Sequence, residues 1–283
     1  MVTMRAAFAN LPDSSRRRVS LACLFGTFVF LQFTALGLAN HAGEGYLSTE
    51  QRDLVYYALQ VFVIGGFLLY SLFHRCCTGE RIRRAATFGA LGVFFACVVV
   101  MLAVGPATLG YVIASMAAAL CIGSVGGAVH LRMSMATVTD DGVARCMGIG
   151  SAVVVVLQYL LQIQWGATPL LPIFMLAASG LLLFLLLHIA PEVGSEESGK
   201  LAPTPRRRIA VAIVIASAFI LFAGFYNETI HHPMIQSNYA TYTVYSWPRL
   251  MLVPGYLLFA AIGGAKGGRY VPRSPCASCS SPC

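Results

Sequence analysis

Residues Ala85–His130 read AATFGALGVFFACVVVMLAV, then Gly105-Pro106, then ATLGYVIASMAAALCIGSVGGAVH, and this stretch decides the fold. Neither apolar block contains Asp, Glu, Lys or Arg. A helix rises 1.5 Å per residue, so about 20 apolar residues cross a hydrocarbon core about 30 Å thick. Two such blocks separated only by Gly-Pro leave no chain for anything but a reversal, which makes the pair a helical hairpin.

Outward from this hairpin, the rest of the 283-residue chain has the same character: 58% of it is apolar, 11% charged, and its mean hydropathy is +0.75. Ordinary globular domains carry about 25% charged residues, so the composition excludes a conventional water-soluble enzyme. Eight runs are long enough to span: 19–39, 53–73, 85–104, 107–130, 146–165, 168–190, 209–227 and 244–262. Gly166-Ala167 makes a second tight hairpin, between the fifth and sixth runs. The first run follows Arg16-Arg17-Arg18 as a secretory signal would, but its roughly 21 residues exceed the 7–15 of a signal core, which favours a retained helix.

The net charge is +8, and its placement is informative. Cations are plentiful in the N-terminal arm (Arg5, Arg16, Arg17, Arg18), after the second run (Arg75, Arg81, Arg83, Arg84), after the fourth (Arg132, Arg145), after the sixth (Lys200, Arg206, Arg207, Arg208) and at the end (Lys266, Arg269, Arg273). The intervening loops hold only Arg52. Cytoplasmic loops concentrate Lys and Arg, so the alternation predicts eight spans with both termini cytoplasmic. It also accounts for the positive charge without nucleic acid as a partner. Cys23, Cys76, Cys77, Cys97, Cys121 and Cys146 lie in or beside apolar runs, as buried thiols do, rather than in a disulfide framework.

The chain also repeats. Arg16-Arg-Arg-Val19 precedes the first span and Arg206-Arg-Arg-Ile209 the seventh, 190 residues later. Gly66-Phe-Leu-Leu-Tyr70 matches Gly255-Tyr-Leu-Leu-Phe259, and Gly79 matches Gly268, both at an offset of 189. The expected fold is therefore an all-α polytopic membrane helix bundle: a six-helix half plus two helices of a second half. Its parts are an N-terminal cytoplasmic arm (1–18), the six-helix half (19–190), a Glu/Ser/Gly/Pro-rich cytoplasmic linker (191–208), two further helices (209–264), and a Gly/basic loop with a Cys/Ser/Pro tail (265–283).

The layout resembles the major facilitator superfamily of secondary transporters. That family carries Gly-x-x-x-Asp-Arg/Lys-x-Gly-Arg-Arg/Lys after the second helix of each half. Ala261–Tyr270 keeps Lys266, Gly268 and Arg269 of it, with Ala261 and Ala265 in place of the Gly and Asp. The loop after the second span keeps Gly79, with Cys76 at the Asp position. Asp140–Arg145 and the Met147-Gly148 start of the fifth helix look like the family's loop between helices four and five. The resemblance implies a multi-pass transporter in the cell membrane that moves a small solute by alternating access. Its implied partners are the lipid bilayer, the solute and a coupling proton, with no cofactor or metal. Helices nine to twelve would then be missing, and the Cys276-x-x-Cys279-x-x-x-Cys283 tail reads as a truncated or frame-shifted end rather than a zinc or redox site. A membrane-embedded sensor or regulator on the same bundle is the alternative.

Polar side chains inside spans are the candidates for solute binding or coupling, since lipid tolerates them poorly. They are Gln32, Gln158 and Gln162, the last two one turn apart on one helix face, with Glu228 and Arg249 near the outer ends of consecutive helices, where they would pair. The bland reading is that such amides bond neighbouring helices and that the two charges snorkel to the interface. His231-His232 reads as a solvated loop pair, Asn227-Glu-Thr229 as a glycosylation sequon at a helix end, and Trp165, Trp247 and the tyrosines 239, 242 and 245 as an interfacial belt. Cys76-Cys77 is a candidate palmitoylation pair. There is no Gly-x-Ser-x-Gly, His-Glu-x-x-His or Gly-x-x-x-x-Gly-Lys-Ser/Thr motif and no paired carboxylate within a span, so no enzyme is expected.

Overall fold

A computed structural model describes residues 13–39, 41–43, 45–77, 79–139, 141–164, 170–189, 250 and 252–265. Seven helices lie in them: α1 (Asp13–Ala39), α2 (Thr49–Cys76), α3 (Glu80–Val104), α4 (Leu109–Thr139), α5 (Asp141–Ile163), α6 (Leu171–Ile189) and α7 (Leu252–Ala265). The first six are long and apolar enough to cross a membrane. The protein is an all-helical, multi-pass bundle of membrane character. The seventh span expected from the sequence, 209–227, lies outside the described residues, as do the linker and the tail.

Several helices outrun their apolar blocks, for local reasons. α2 begins one turn before its apolar run because Ser48 and Gln51 form a capping box: Ser48 Oγ accepts from Gln51 N–H at 3.4 Å, and Gln51 Oε1 accepts from Ser48 N–H at 3.0 Å. α3 ends at Gly105, whose φ of 75° is the left-handed conformation that glycine adopts without strain. Thr108 Oγ1 then accepts from Tyr111 N–H at 3.2 Å and starts α4. The Gly105-Pro106 reversal is present as expected. α4 runs for 31 residues, about 46 Å, well beyond a hydrocarbon core.

The two ends of the bundle differ in charge. Arg18 packs on Gly142 at the start of α5, Arg83 bonds His74, and Arg132 reaches Leu187 O, so α1 and α5 start, and α2, α4 and α6 finish, at one arginine-rich end. At the opposite end Gly43 N–H donates to Pro106 O at 3.0 Å, joining the α1–α2 and α3–α4 connections, and Tyr111 Oη donates to Leu38 O at 2.8 Å. Among the described residues Arg52, in the first turn of α2, is the single Lys or Arg at that end.

α1 and α4 form the centre. Leu24, Phe28 and Leu31 of α1 and Ile122, Val125 and Val129 of α4 are buried to 1% or less, whereas α2 and α3 present Leu68, Leu72, Val99 and Leu102 outward, as lipid-facing surfaces do. α4 packs on α2 and α3, α1 packs on α5 and α6, and α1 and α4 pack on each other. Exchanging α1 with α4, α2 with α5 and α3 with α6 maps these five contacts onto themselves, whereas the smaller contact of α4 with α5 has no α1–α2 counterpart of similar extent. The exchange also reverses chain direction, because α1 leaves the arginine end and α4 runs toward it. α7 packs on α5, where Gly148 admits the backbone of Tyr256 and the methyl of Ala260.

Candidate functional site

The residues singled out in the sequence fall into three groups. Gln158 and Gln162 are buried, with 0% and 1% of their surface exposed, and Gln158 Nε2 donates to Gln162 Oε1 at 3.1 Å. The one-turn spacing does set them on one face, together with Ser151 and Val155, also fully buried. Gln32 is half-buried in α1, and Gly79 is the N-cap of α3, accepting at its carbonyl from Arg83 N–H at 3.1 Å. Glu228, Arg249, Lys266, Gly268 and Arg269 lie outside the described residues, as do His231, His232 and the tail cysteines. Among the described residues no three His, Cys, Asp or Glu side chains cluster as metal ligands do, and the six described cysteines are free thiols.

The most concentrated chemistry sits at a residue the sequence reading passed over. His130 closes the fourth apolar run and so counts there as a helix end. α4 continues nine residues beyond it, to Thr139, which holds the imidazole against α1 and α2 although the residue is exposed. Three phenylalanine rings surround it, edge to face: Phe25 of α1 at 5.1 Å, Phe28 of α1 at 5.6 Å and Phe67 of α2 at 5.0 Å between centroids. His130 Nδ1 lies 2.8 Å from Gly126 O. A carbonyl only accepts, so Nδ1 carries the proton and Nε2 is left with the lone pair.

Glycines make this convergence possible. A Cβ on Gly126 would lie 2.6 Å from the tips of both Phe28 and Phe67, and one on Gly127 would lie 2.9 Å from Tyr70 Cβ. Thus Gly126 supplies both the space for the two rings and the carbonyl that fixes the imidazole tautomer. His130 remains exposed on one edge, and Ser134, one turn on, is exposed beside it.

Depth follows from the apolar runs. That of α1 is centred on Val29 and that of α2 on Val63, and Phe25 and Phe67 each lie four residues from those centres toward the arginine end. Four residues of helix are about 6 Å, and His130 itself ends the apolar run of α4 two residues before Arg132, so the histidine sits on the arginine-end side of the bilayer middle. The other notable space is an apolar gap of about 10 Å³ between α1, α3 and α4, lined by Ala35, Phe94, Met101, Ser115 and Ala119, too small for a solute.

No family model, curated protein sequence or solved structure matches the chain.

Proposed function

We propose that the protein is a secondary transporter, or part of one, that moves a small solute across the cell membrane by alternating access. The observation that carries this reading is the exchange pattern of helix contacts. Three helices followed by three more of reversed direction, with the main contacts of one triplet paralleled in the other, support an inverted repeat, the construction from which halves of transporters of the major facilitator type are built. Such proteins place their sites near the midplane where the repeats meet. His130, held by Phe25 and Phe28 of α1 and Phe67 of α2, lies where the two triplets meet, toward the arginine end, and supports this reading.

The finer assignments complete the proposal. Residues 19–190 are the first six-helix half and α7 is the second helix of the next half, matched to α2 through the Gly-x-Leu-Leu repeat. Both termini are cytoplasmic, which places the arginine end inside. Gln32 and the buried Gln158–Gln162 pair support solute binding or helix positioning, while Glu228 and Arg249 pair at the outer ends of their helices. Gly79, Lys266, Gly268 and Arg269 belong to loops that reset as the bundles rock.

The test is binding followed by exchange. Purified protein is screened against small cations, carboxylates, sugars and amino acids for a rise in unfolding temperature, and each binder is then assayed for counterflow in proteoliposomes. Saturable counterflow of a stabilising solute is expected. Binders that never exchange would contradict transport and favour a sensor built on the same bundle.

A further inference from the structure

We propose that His130 is the proton-binding group that couples solute movement to pH, with the three phenylalanine rings as the device that senses its charge. The coupling part rests on the transport reading above; the proton site stands on the geometry alone. The Nδ1–H bond to Gly126 O at 2.8 Å leaves Nε2 as the atom that takes up a proton from water, giving an imidazolium that keeps its bond to Gly126. Nothing else forms or breaks. The imidazole fills the space between the rings of Phe25, Phe28 and Phe67, and centroid separations of 5.0–5.6 Å are within cation–π range. Uptake of the proton therefore strengthens the attraction of α1 and α2 for α4, and its release weakens it.

Two further features suit this role. His130 is exposed, as is Ser134 one turn on, and it ends the apolar run of α4 two residues before Arg132, so the ring is placed where water from the arginine end reaches it. The groups that touch the ring are three phenylalanines and the Gly126 carbonyl rather than a carboxylate. The titratable and charged residues at the arginine end of the helices are Asp13, Arg16, Arg17, Arg18 and Cys23 on α1, Tyr70, His74, Arg75 and Cys76 on α2, Glu80, Arg81, Arg83 and Arg84 on α3, Arg132 on α4, Asp141, Arg145 and Cys146 on α5, and His188 on α6. Of these, His74 is bonded to Arg83, and Arg132 reaches Leu187 O on α6. Glu50 and Asp53 sit at the opposite end of α2, roughly 20–25 Å along the helix from Phe67. Protonation thus changes the charge at the contact between α1 and α4, the one contact that the helix exchange maps onto itself.

The experiment uses the full chain in lipid nanodiscs, without solute, with the proton itself as the probe. Isotope-labelled histidines are followed by NMR between about pH 5 and 8, the range in which imidazoles titrate. The His130 resonances are assigned by their loss in His130→Gln. Hydrogen exchange of α1 and α2 peptides is measured over the same range. We expect His130 to be the Nδ1–H tautomer at high pH, to titrate within the range, and to change α1 and α2 exchange with the same midpoint. A one-unit difference in proton affinity between two arrangements shifts their ratio about tenfold. His130→Gln and His130→Phe, the second of which refills the aromatic box, should both abolish the pH response of exchange. A His130 signal that stays constant across the range, or an exchange response that survives in either variant, overturns the proposal. Either result leaves counterflow, and so the transport reading, to be decided separately.

Discussion

A Cβ added to Gly66 of α2 would stand 2.9 Å from the carbonyl carbon of Gly123 of α4, so the two helices meet backbone to backbone at this pair. The contact is reciprocal, since a Cβ on Gly123 would run into the carbonyl of Val63. Ser124 Oγ, 3.3 Å from Gly66 O, adds a bond across the same crossing. Small residues that let backbones approach closely are how helices associate where lipid removes the hydrophobic drive.

Gly66→Ala and Gly123→Ala should each destabilise the protein by about 1–3 kcal/mol, because backbone atoms cannot move aside as a side chain would. Gly89 and Gly92 on α3 provide the control, as a Cβ there meets nothing within 4 Å. Alanine at those positions should be neutral or stabilising by up to about 1 kcal/mol. Thermal unfolding in detergent compares the four variants. Equal losses at all four would mean that the close crossing of α2 and α4 is wrong.

The buried amide pair on α5 should behave as a unit. Replacing Gln158 or Gln162 alone by Leu breaks their mutual bond in the core, at about 1–3 kcal/mol. Replacing both removes the need for a partner, so the double variant should lose less than the sum of the singles. Unfolding of the three variants measures the coupling, and strictly additive losses would show that the bond between the two amides contributes nothing.

α7 should stay with the six-helix unit through Gly148. A protease site in the linker 191–208 would divide the chain, and residues 209–283 should still co-purify with the first fragment in mild detergent. Gly148→Val places a branched side chain against the backbone of Tyr256 and should release the second fragment. Retention of that fragment in the variant would place the attachment elsewhere.

Sidedness follows from the cation pattern. Single cysteines near Glu44 and Gln236 should be labelled by impermeant reagents from outside intact cells, and those at Gly79 and Ser198 only after the membrane is opened. Outside labelling at Ser198 would reverse the topology.

The first six spans were legible because their physics is one-dimensional: a block such as Ala85–Val104 needs only length and apolarity to be recognised, and Gly105-Pro106 only its backbone constraints. Cap chemistry was legible too but overlooked, since Ser48-x-x-Gln51 announces the start of α2 before the first apolar residue. His130 was missed because apolarity stops near it while the helix continues to Thr139, so an interior residue looked like a terminus. The inverted contact pattern left no trace in the sequence: packing equivalence between α1–α3 and α4–α6 depends on shape and small-residue placement, with no motif shared between the two triplets. Gln158 and Gln162 fell on one face by spacing alone, whereas their complete burial depends on neighbouring helices that spacing does not specify.

The central claim is alternating access, and Gln32 offers its most direct measurement. It is half-buried on α1, about 4.5 Å from the midpoint of its span on the side opposite His130. In a background with all nine cysteines replaced by alanine, Gln32→Cys is exposed to a membrane-impermeant thiol reagent in right-side-out and in inverted vesicles. The account predicts labelling from both sides, with solute or acid raising one rate while lowering the other. Labelling from one side only, unchanged by either treatment, would contradict it.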